Sequence, residues 1–289
     1  MSNGIAVRQN EEKAIVMLAA QRQLYNDAKT CRIILDALSV FVPFAMSLIS
    51  VALLEESIWK SVPYILSIVS MLFSFFADKH IADKKRLAAI IQQKFDIYVY
   101  NMSWNERLFG KDKNVIHEII AYSKKIIANA DEKEKLYNWY TPAVDKKDLI
   151  TGILLCQRET FGWDSELRKR YRLMSIIIIA FLCFFVFLIG MWNHESVDML
   201  VWRLAFIVPM LNWFLTVVKA LNKDMERLKE LDGIINNDKP KTMDELEDIQ
   251  KKIFEHRKEC YVIPNLVYQM FKCNDEDTAQ RIVSLENKD

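Results

Sequence analysis

The chain contains four apolar stretches, each about as long as a membrane span, and they form two close pairs. The stretches run from Ile33 to Leu54, from Ile58 to Phe76, from Leu173 to Trp192, and from Leu200 to Val218. About 20 residues of α-helix match a bilayer hydrocarbon core of about 30 Å. The sequence therefore predicts an integral membrane protein with four transmembrane helices in two hairpins. A buried helix of a soluble protein is the weaker interpretation.

The average composition hides this segregation. Hydrophobic residues make up 52% of the chain and charged residues 27%, with a net charge of +1. The stretch from Leu173 to Trp192 nevertheless contains no charged residue. Such an uninterrupted apolar segment favours a span over a core helix.

Basic residues flank the four stretches unequally, with about 15 on one side and only Lys60 on the other. The positive-inside rule places the basic side in the cytoplasm. We therefore expect a multi-pass protein of the bacterial inner membrane with both termini cytoplasmic. The basic residues are Arg22, Lys29, Arg32, Lys79, Lys84, Lys85, Arg86, Arg168, Lys169, Arg170, Arg172, Lys219, Lys223, Arg227 and Lys229.

The remaining segments predict an all-α organisation. Apolar residues recur every three or four positions from Leu87 to Met102 and from Ile116 to Ile127, which is typical of amphipathic helices. Thr242 and Glu245 have the spacing of a capping box at the start of a further helix. Isolated helices of this length are marginal in water, so we expect them to assemble into a cytosolic helical bundle.

Five regions follow from these patterns. The predicted regions are a cytosolic N-terminal amphipathic helix at 1–32, transmembrane hairpin 1 at 33–76, a cytosolic helical region at 77–172, transmembrane hairpin 2 at 173–218, and a cytosolic C-terminal helical region at 219–289.

Several composite motifs outside the spans resemble those of a known family, the SMODS-associated four-transmembrane (S-4TM) family. These motifs are Arg8-Gln9, Leu18-Ala19-Ala20-Gln21-Arg22-Gln23-Leu24-Tyr25, Leu155-Cys156-Gln157-Arg158, Trp163-Asp164, Leu167-Arg168, Ile249-Gln250, Ile253-Phe254, Arg257 and Val262-Ile263-Pro264. The resemblance covers nearly the whole chain. The members of this family are encoded beside cyclic-oligonucleotide synthases in bacterial antiphage operons, and pore formation has been inferred as their effector activity.

The resemblance implies an effector of abortive infection. A cyclic di- or trinucleotide made during infection would trigger the effector, which would then permeabilise the inner membrane. The main alternative is a membrane-anchored helical scaffold or sensor without pore activity. A secondary transporter is disfavoured, because four spans without an intramembrane acidic pair leave little room for alternating access.

Hydroxyl and carboxyl side chains form two stripes that are candidates for a pore lining. At about 100° of rotation per residue, Ser67, Ser70, Ser74 and Asp78 share one face of a helix. The first stretch repeats the pattern in a second set of residues. Close helix packing through small residues is the competing interpretation, and both can hold at a subunit interface of a homo-oligomer. The second set is Asp36, Ser39, Ser47 and Ser50.

Cations and aromatic rings near the predicted inner membrane surface are candidates for messenger recognition, because phosphates need cations and bases need flat surfaces. The same residues could instead set topology and touch anionic lipids, or pair with Asp164 and Glu166. The candidate residues are Arg8, Gln21, Arg22, Gln157, Arg158, Trp163, Arg168 and Arg170.

Catalytic signals are weak. The sequence has no glycine-rich phosphate loop and no nucleophile elbow, and its four histidines lack metal-ligand spacing. The five cysteines are scattered, which is typical of reduced structural thiols. We therefore expect no enzymatic activity, no metal, no cofactor other than a cyclic-oligonucleotide ligand, and no DNA or RNA partner. The lipid bilayer is the expected partner.

Overall fold

The structure is a computed structural model that describes residues 2–41, 62–111, 115–192, 208–238 and 240–270. Its helices are α1 (Ile5–Arg8), α2 (Glu12–Asp36), α3 (Val62–Tyr100), α4 (Glu106–Phe109), α5 (Ile116–Ile127), α6 (Ala130–Glu134), α7 (Leu149–Trp192), α8 (Val208–Gly233) and α9 (Met243–Glu259). Two π-helical turns follow α2 and α8, and a 3₁₀ turn covers Pro142–Lys146. No strand occurs in these described ranges, which confirms the all-helical prediction for them.

Among the residues described, no helix meets the combined length and apolarity of a membrane span. Residues 42–61 and 193–207, which hold parts of the first, second and fourth predicted spans, lie outside the description. The four spans, their orientation and the five region boundaries stay predictions.

The main core lies where α2 crosses α3 and α5. Small side chains meet at the α2–α3 crossing, where Ala19, Ala20 and Ala88 are fully buried. Small residues let two helix axes approach closely, which then brings larger neighbours into contact. Larger side chains, including those of Leu24 and Phe95, complete this core.

Two long helices connect this core to an exposed apolar surface. The C-terminal part of α3 is buried at Ile91 and Phe95, whereas its N-terminal part exposes apolar side chains. Helix α7 has the opposite order: its N-terminal part is buried at Ile153, and its C-terminal half exposes apolar side chains. The amphipathic segment beginning at Leu87 is therefore continuous, within α3, with the described part of the second apolar stretch. The exposed apolar residues are Ile65, Ile68, Val69, Leu72, Phe73 and Phe76 on α3, and Leu173, Ile176, Ile177, Ile178, Phe181, Phe184, Phe185, Phe187, Leu188, Met191 and Trp192 on α7.

Helix α9 begins with the predicted capping box. The backbone N–H of Glu245 donates to the Thr242 hydroxyl, and the Glu245 carboxylate accepts from the Thr242 N–H. The apolar face of α9, which includes Ile249, is buried in the bundle. The predicted face of α5 is buried only in part, because Ile116 and Ile120 remain exposed.

Candidate functional site: buried polar networks beneath helix α9

Asp96 is the centre of a buried polar network. This α3 residue has no exposed surface, although it lies between apolar Phe95 and Ile97 in the sequence. The Tyr140 hydroxyl donates a hydrogen bond to Asp96 Oδ1 over 2.6 Å. The Arg257 guanidinium forms an ion pair with Oδ2 of the same carboxylate. A buried carboxylate needs such compensation, because an isolated charge inside a protein is strongly disfavoured.

Three glutamines extend this network from α3 to α7. Gln250 Nε2 donates to Asp96 Oδ2 at 2.8 Å and to Gln93 Oε1 at 3.0 Å. Gln250 Oε1 accepts from Gln157 Nε2 at 3.0 Å, and the same Gln157 amide donates to the backbone carbonyl of Leu246. Helix α9 is thus hydrogen bonded to two other helices through buried side chains.

A second network joins α7, α8 and the C-terminal end of α9. Arg168 Nη1 lies 2.5 Å from Asp224 Oδ2, and Arg168 Nε lies 2.9 Å from Asp164 Oδ2. His256 Nε2 contacts the same Asp164 oxygen at 2.7 Å. The Tyr261 backbone N–H donates to Asp224 Oδ2, and the Tyr261 carbonyl accepts from Arg168.

Opposite charges shift the pKa values of Asp164, Arg168 and Arg257 so that these three side chains stay charged. Burial alone would lower the pKa of Arg168, but the Asp164 and Asp224 carboxylates raise it above its ordinary value. Burial would likewise raise the pKa of Asp164, but Arg168 and His256 hold it below its usual range. The Arg257 pKa is raised by Asp96 against the effect of burial. Asp164, Arg168 and Arg257 therefore stay charged throughout the neutral pH range.

The two networks hold α9 against the rest of the bundle. Gln250 and Arg257 bind the Asp96 network, whereas His256, the residue directly before Arg257, binds the Asp164 network. We call these contacts of Gln250, His256 and Arg257 the α9 clasp. Displacing α9 would leave several buried polar groups without partners, and each such group is costly. We infer that α3, α7 and α8 hold one relative arrangement while α9 is in place.

Comparison with known proteins identifies the family. A family model described as the SMODS-associating 4TM effector domain matches residues 3–284. The chain belongs to this family. It is also 23% identical over 236 residues to a probable CBASS effector molecule of Bacillus cereus (strain VD146), which covers 80% of this chain and 77% of that protein. No solved structure matches.

The family resemblance predicted from the motifs is confirmed, and the structure gives several of those motif residues a structural role. Gln9 and Tyr140 exchange two hydrogen bonds between side-chain amide and backbone, at 3.0 and 2.7 Å. Arg8 Nε donates to the Val99 carbonyl at 2.7 Å. Gln157 and Arg168 belong to the two buried networks. These four S-4TM motif residues thus bind other parts of the same chain.

The remaining messenger-binding candidates are dispersed. Gln21 is buried, and Arg22 contacts Glu132 at 3.8 Å. Trp163 meets the Tyr268 ring edge-on, with centroids 4.9 Å apart. Arg158 and Arg170 are half-buried and each has a partner. No described contact joins these candidates into one surface, and ligand binding by them stays a prediction.

The pore-lining candidates meet at one point. Arg32 lies between the two acidic members, with Nε 3.0 Å from Asp36 and Nη1 3.3 Å from Asp78. Ser74 is half-buried on α3, where Ser67 and Ser70 also lie. The structure therefore joins the two predicted stripes at their acidic ends, and pore lining itself stays a prediction. Ser39 lies in the π-helical turn Ala37–Phe41, whereas Ser47 and Ser50 lie outside the described residues.

The two networks hold charged side chains in buried ion pairs. The described residues contain no cluster of three or more side chains that could hold a metal ion. Burial raises the pKa of the Cys156 and Cys260 thiols, which keeps them in the unreactive protonated form.

The Asp96 network was not predicted from the sequence. The available signal was a charged residue within an apolar helical face, together with the Gln250 and Arg257 motif positions on a second helix. Asp96 and Arg257 are 161 positions apart in the sequence, so local periodicity does not predict their pairing.

Proposed function

We propose that this S-4TM protein is a membrane effector of a CBASS-type antiphage system that permeabilises the bacterial inner membrane after a cyclic-nucleotide signal. Family membership and the probable CBASS effector of Bacillus cereus support the effector role. The observation that carries the membrane step is the exposed apolar surface of α3 and α7. Side chains as large as Phe76, Phe181 and Trp192 are 70%, 63% and 86% exposed.

An apolar surface of this kind needs an apolar partner. Monomeric soluble proteins rarely expose contiguous apolar patches larger than a few hundred Å². On α7, the exposed apolar half begins at Leu173, directly after Arg172, whose guanidinium donates to Asn222 Oδ1 at 2.9 Å. A basic and polar band followed by an apolar helix is the pattern expected at the cytoplasmic face of a bilayer.

The buried networks would stabilise the resting conformation of a protein that a ligand activates. A ligand activates such a protein only if it binds the active state more tightly than the resting state. In this proposal the α9 clasp holds the resting arrangement of α3, α7 and α8. A messenger that weakens the clasp would let the apolar helices rearrange, within one chain or across a homo-oligomer.

Dye release from liposomes tests the proposal. The full-length protein is reconstituted in dye-loaded phosphatidylethanolamine–phosphatidylglycerol liposomes and exposed to a panel of cyclic di- and trinucleotides. We expect one messenger to cause release and the others to cause none. The combined change Ser67→Leu, Ser70→Leu and Ser74→Leu should reduce release, because it removes the hydroxyl stripe.

A matched control separates pore lining from a general loss of insertion. Val69→Leu and Leu72→Ile alter exposed apolar positions of the same helix and should leave release unchanged. If inserted wild-type protein releases no dye with any messenger, a membrane-anchored scaffold or sensor becomes the better account.

A further inference from the structure

A cleft of about 210 Å³ opens beside the second network, between the end of α2, the middle of α3, α8 and the stretch after α9. Basic side chains from three elements line it: Arg32 on α2, Lys85 on α3, and Lys223 and Arg227 on α8. The cleft lies beside the part of α3 that joins the exposed apolar N-terminal part of this helix to the part buried in the bundle.

Two of these cations have no carboxylate partner in the described part of the chain. Lys223 is exposed and makes no hydrogen bond or ion pair there. Lys85 is half-buried, and its ammonium donates only to the backbone carbonyl of Glu259, at 3.2 Å. Burial is also the main cause that lowers the pKa of Lys85, so a nearby anion would stabilise its charged form.

The acidic groups of the cleft are already engaged. Asp224 is bound by Arg168 from behind the cleft, at 2.5 Å. Glu259 pairs with Arg227, and Asp78 lies 3.3 Å from Arg32. The positive charge that remains for a ligand is therefore that of the two lysines.

We propose that this cleft binds the phosphodiester group of an anionic ligand. Two ammonium groups that line the same cleft suit a phosphate, for which lysine acts as a point charge. The volume fits a phosphodiester with part of its adjoining sugar or glycerol and is smaller than typical sites for drug-sized ligands, about 300–1,000 Å³. Only one edge of a cyclic oligonucleotide, or one lipid headgroup, would enter.

Both sources of this group are consistent with the position of the cleft. Basic pockets on the cytoplasmic side of membrane helices bind anionic headgroups. A soluble messenger would reach the same opening from the cytoplasm, and this second source rests on the proposed function above. In either case the phosphodiester would compete for the Lys85 ammonium with the backbone carbonyl of Glu259, the last residue of α9. Occupancy would thus loosen the end of the clasp.

Isothermal titration calorimetry on the full-length protein in a zwitterionic detergent tests the inference. One arm titrates glycerophosphoglycerol, the headgroup of phosphatidylglycerol without its acyl chains, and the other titrates the cyclic di- and trinucleotides. We expect at least one of these phosphodiesters to bind and the double change Lys85→Gln, Lys223→Gln to weaken it at least tenfold. Lys223→Gln alone, at an exposed position without a hydrogen bond or ion pair in the described part of the chain, should weaken it about threefold or more.

Lys229→Gln is the matched control, because Lys229 is an exposed lysine of α8 about 120° around the helix from Lys223. It should change the affinity by less than twofold. The inference is overturned if no phosphodiester binds, or if the double variant binds as tightly as wild type. Binding of the headgroup alone assigns the cleft to lipid, and binding of a nucleotide assigns it to the messenger.

The result is separable from that of the dye-release assay. Messenger-triggered release that is unchanged in the double variant would retain the proposed function and reject this cleft as the messenger site. Tight phosphodiester binding without any release would retain the cleft and reject the pore.

Discussion

Removing Arg257 should destabilise the bundle more than any exposed substitution on α9, because it leaves the Asp96 carboxylate buried without a countercharge. Asp96 is fully buried, and Arg257 is 7% exposed. Breaking a buried ion pair by deleting one partner costs about 3–5 kcal/mol. In Arg257→Met the carboxylate retains the hydrogen bonds from Tyr140 and Gln250, so we expect a loss near the lower end, about 3 kcal/mol.

The melting temperature of detergent-solubilised protein, followed by the fluorescence of its seven tryptophans, measures this loss. At about 2–4 °C per kcal/mol, Arg257→Met should melt about 6–12 °C below wild type. Lys251→Met on the same helix removes an exposed pair with Asp248 and should shift the melting temperature by about 0–4 °C.

A double-mutant cycle tests whether Asp96 is the cause. Asp96→Asn in the Arg257→Met background removes the unpaired charge, so the double variant should lose at least about 2 kcal/mol less than the sum of the two single losses. Additive losses, or an Arg257→Met variant as stable as the Lys251→Met control, would refute the network as a stabilising element.

Three further outcomes follow from the fold. Thr242→Ala should cost about 1 kcal/mol by removing the α9 cap, measured as faster amide exchange in the first turn of that helix. Ala88→Leu should cost about 1–3 kcal/mol by overpacking the α2–α3 crossing, whereas Ala121→Leu at an exposed site of α5 should leave the melting temperature within about 2 °C of wild type. Burial lowers the pKa of Lys29 from 10.5 to about 8, so at this lysine the unfolded chain binds more protons between these values, and the contribution of Lys29 to stability rises with pH there. Chemical denaturation should therefore show that the stability of wild type relative to Lys29→Met is greater at pH 10 than at pH 7.

Local patterns predicted the helices well, because capping and periodicity are local properties. The Thr242–Glu245 capping box, the buried face of α9 and the continuous helix α3 all follow from residues a few positions apart. The exposed Ile116 and Ile120 were not foreseen, since periodicity marks an apolar face without showing how much of it a neighbour covers.

The polar sites were harder to predict, because their partners come from distant segments. The sequence singled out Gln157 and Arg168 as ligand candidates, whereas the structure places them in networks with Gln250 and Asp224. Conversely, Lys85 and Lys223 were read only as topology signals. Their convergence on one cleft depends on the packing of α3 against α8 near the end of α9, which composition and spacing do not show.

The account as a whole depends on the apolar helices being in the bilayer with the bundle on the cytoplasmic side. Protease digestion of right-side-out and inverted inner-membrane vesicles measures this directly. We predict that the segment from 77 to 172 is protected in right-side-out vesicles and cleaved in inverted ones, with the chain retained in the membrane after alkaline washing. Cleavage of that segment in intact right-side-out vesicles, or release of the uncut chain by the wash, would contradict the account.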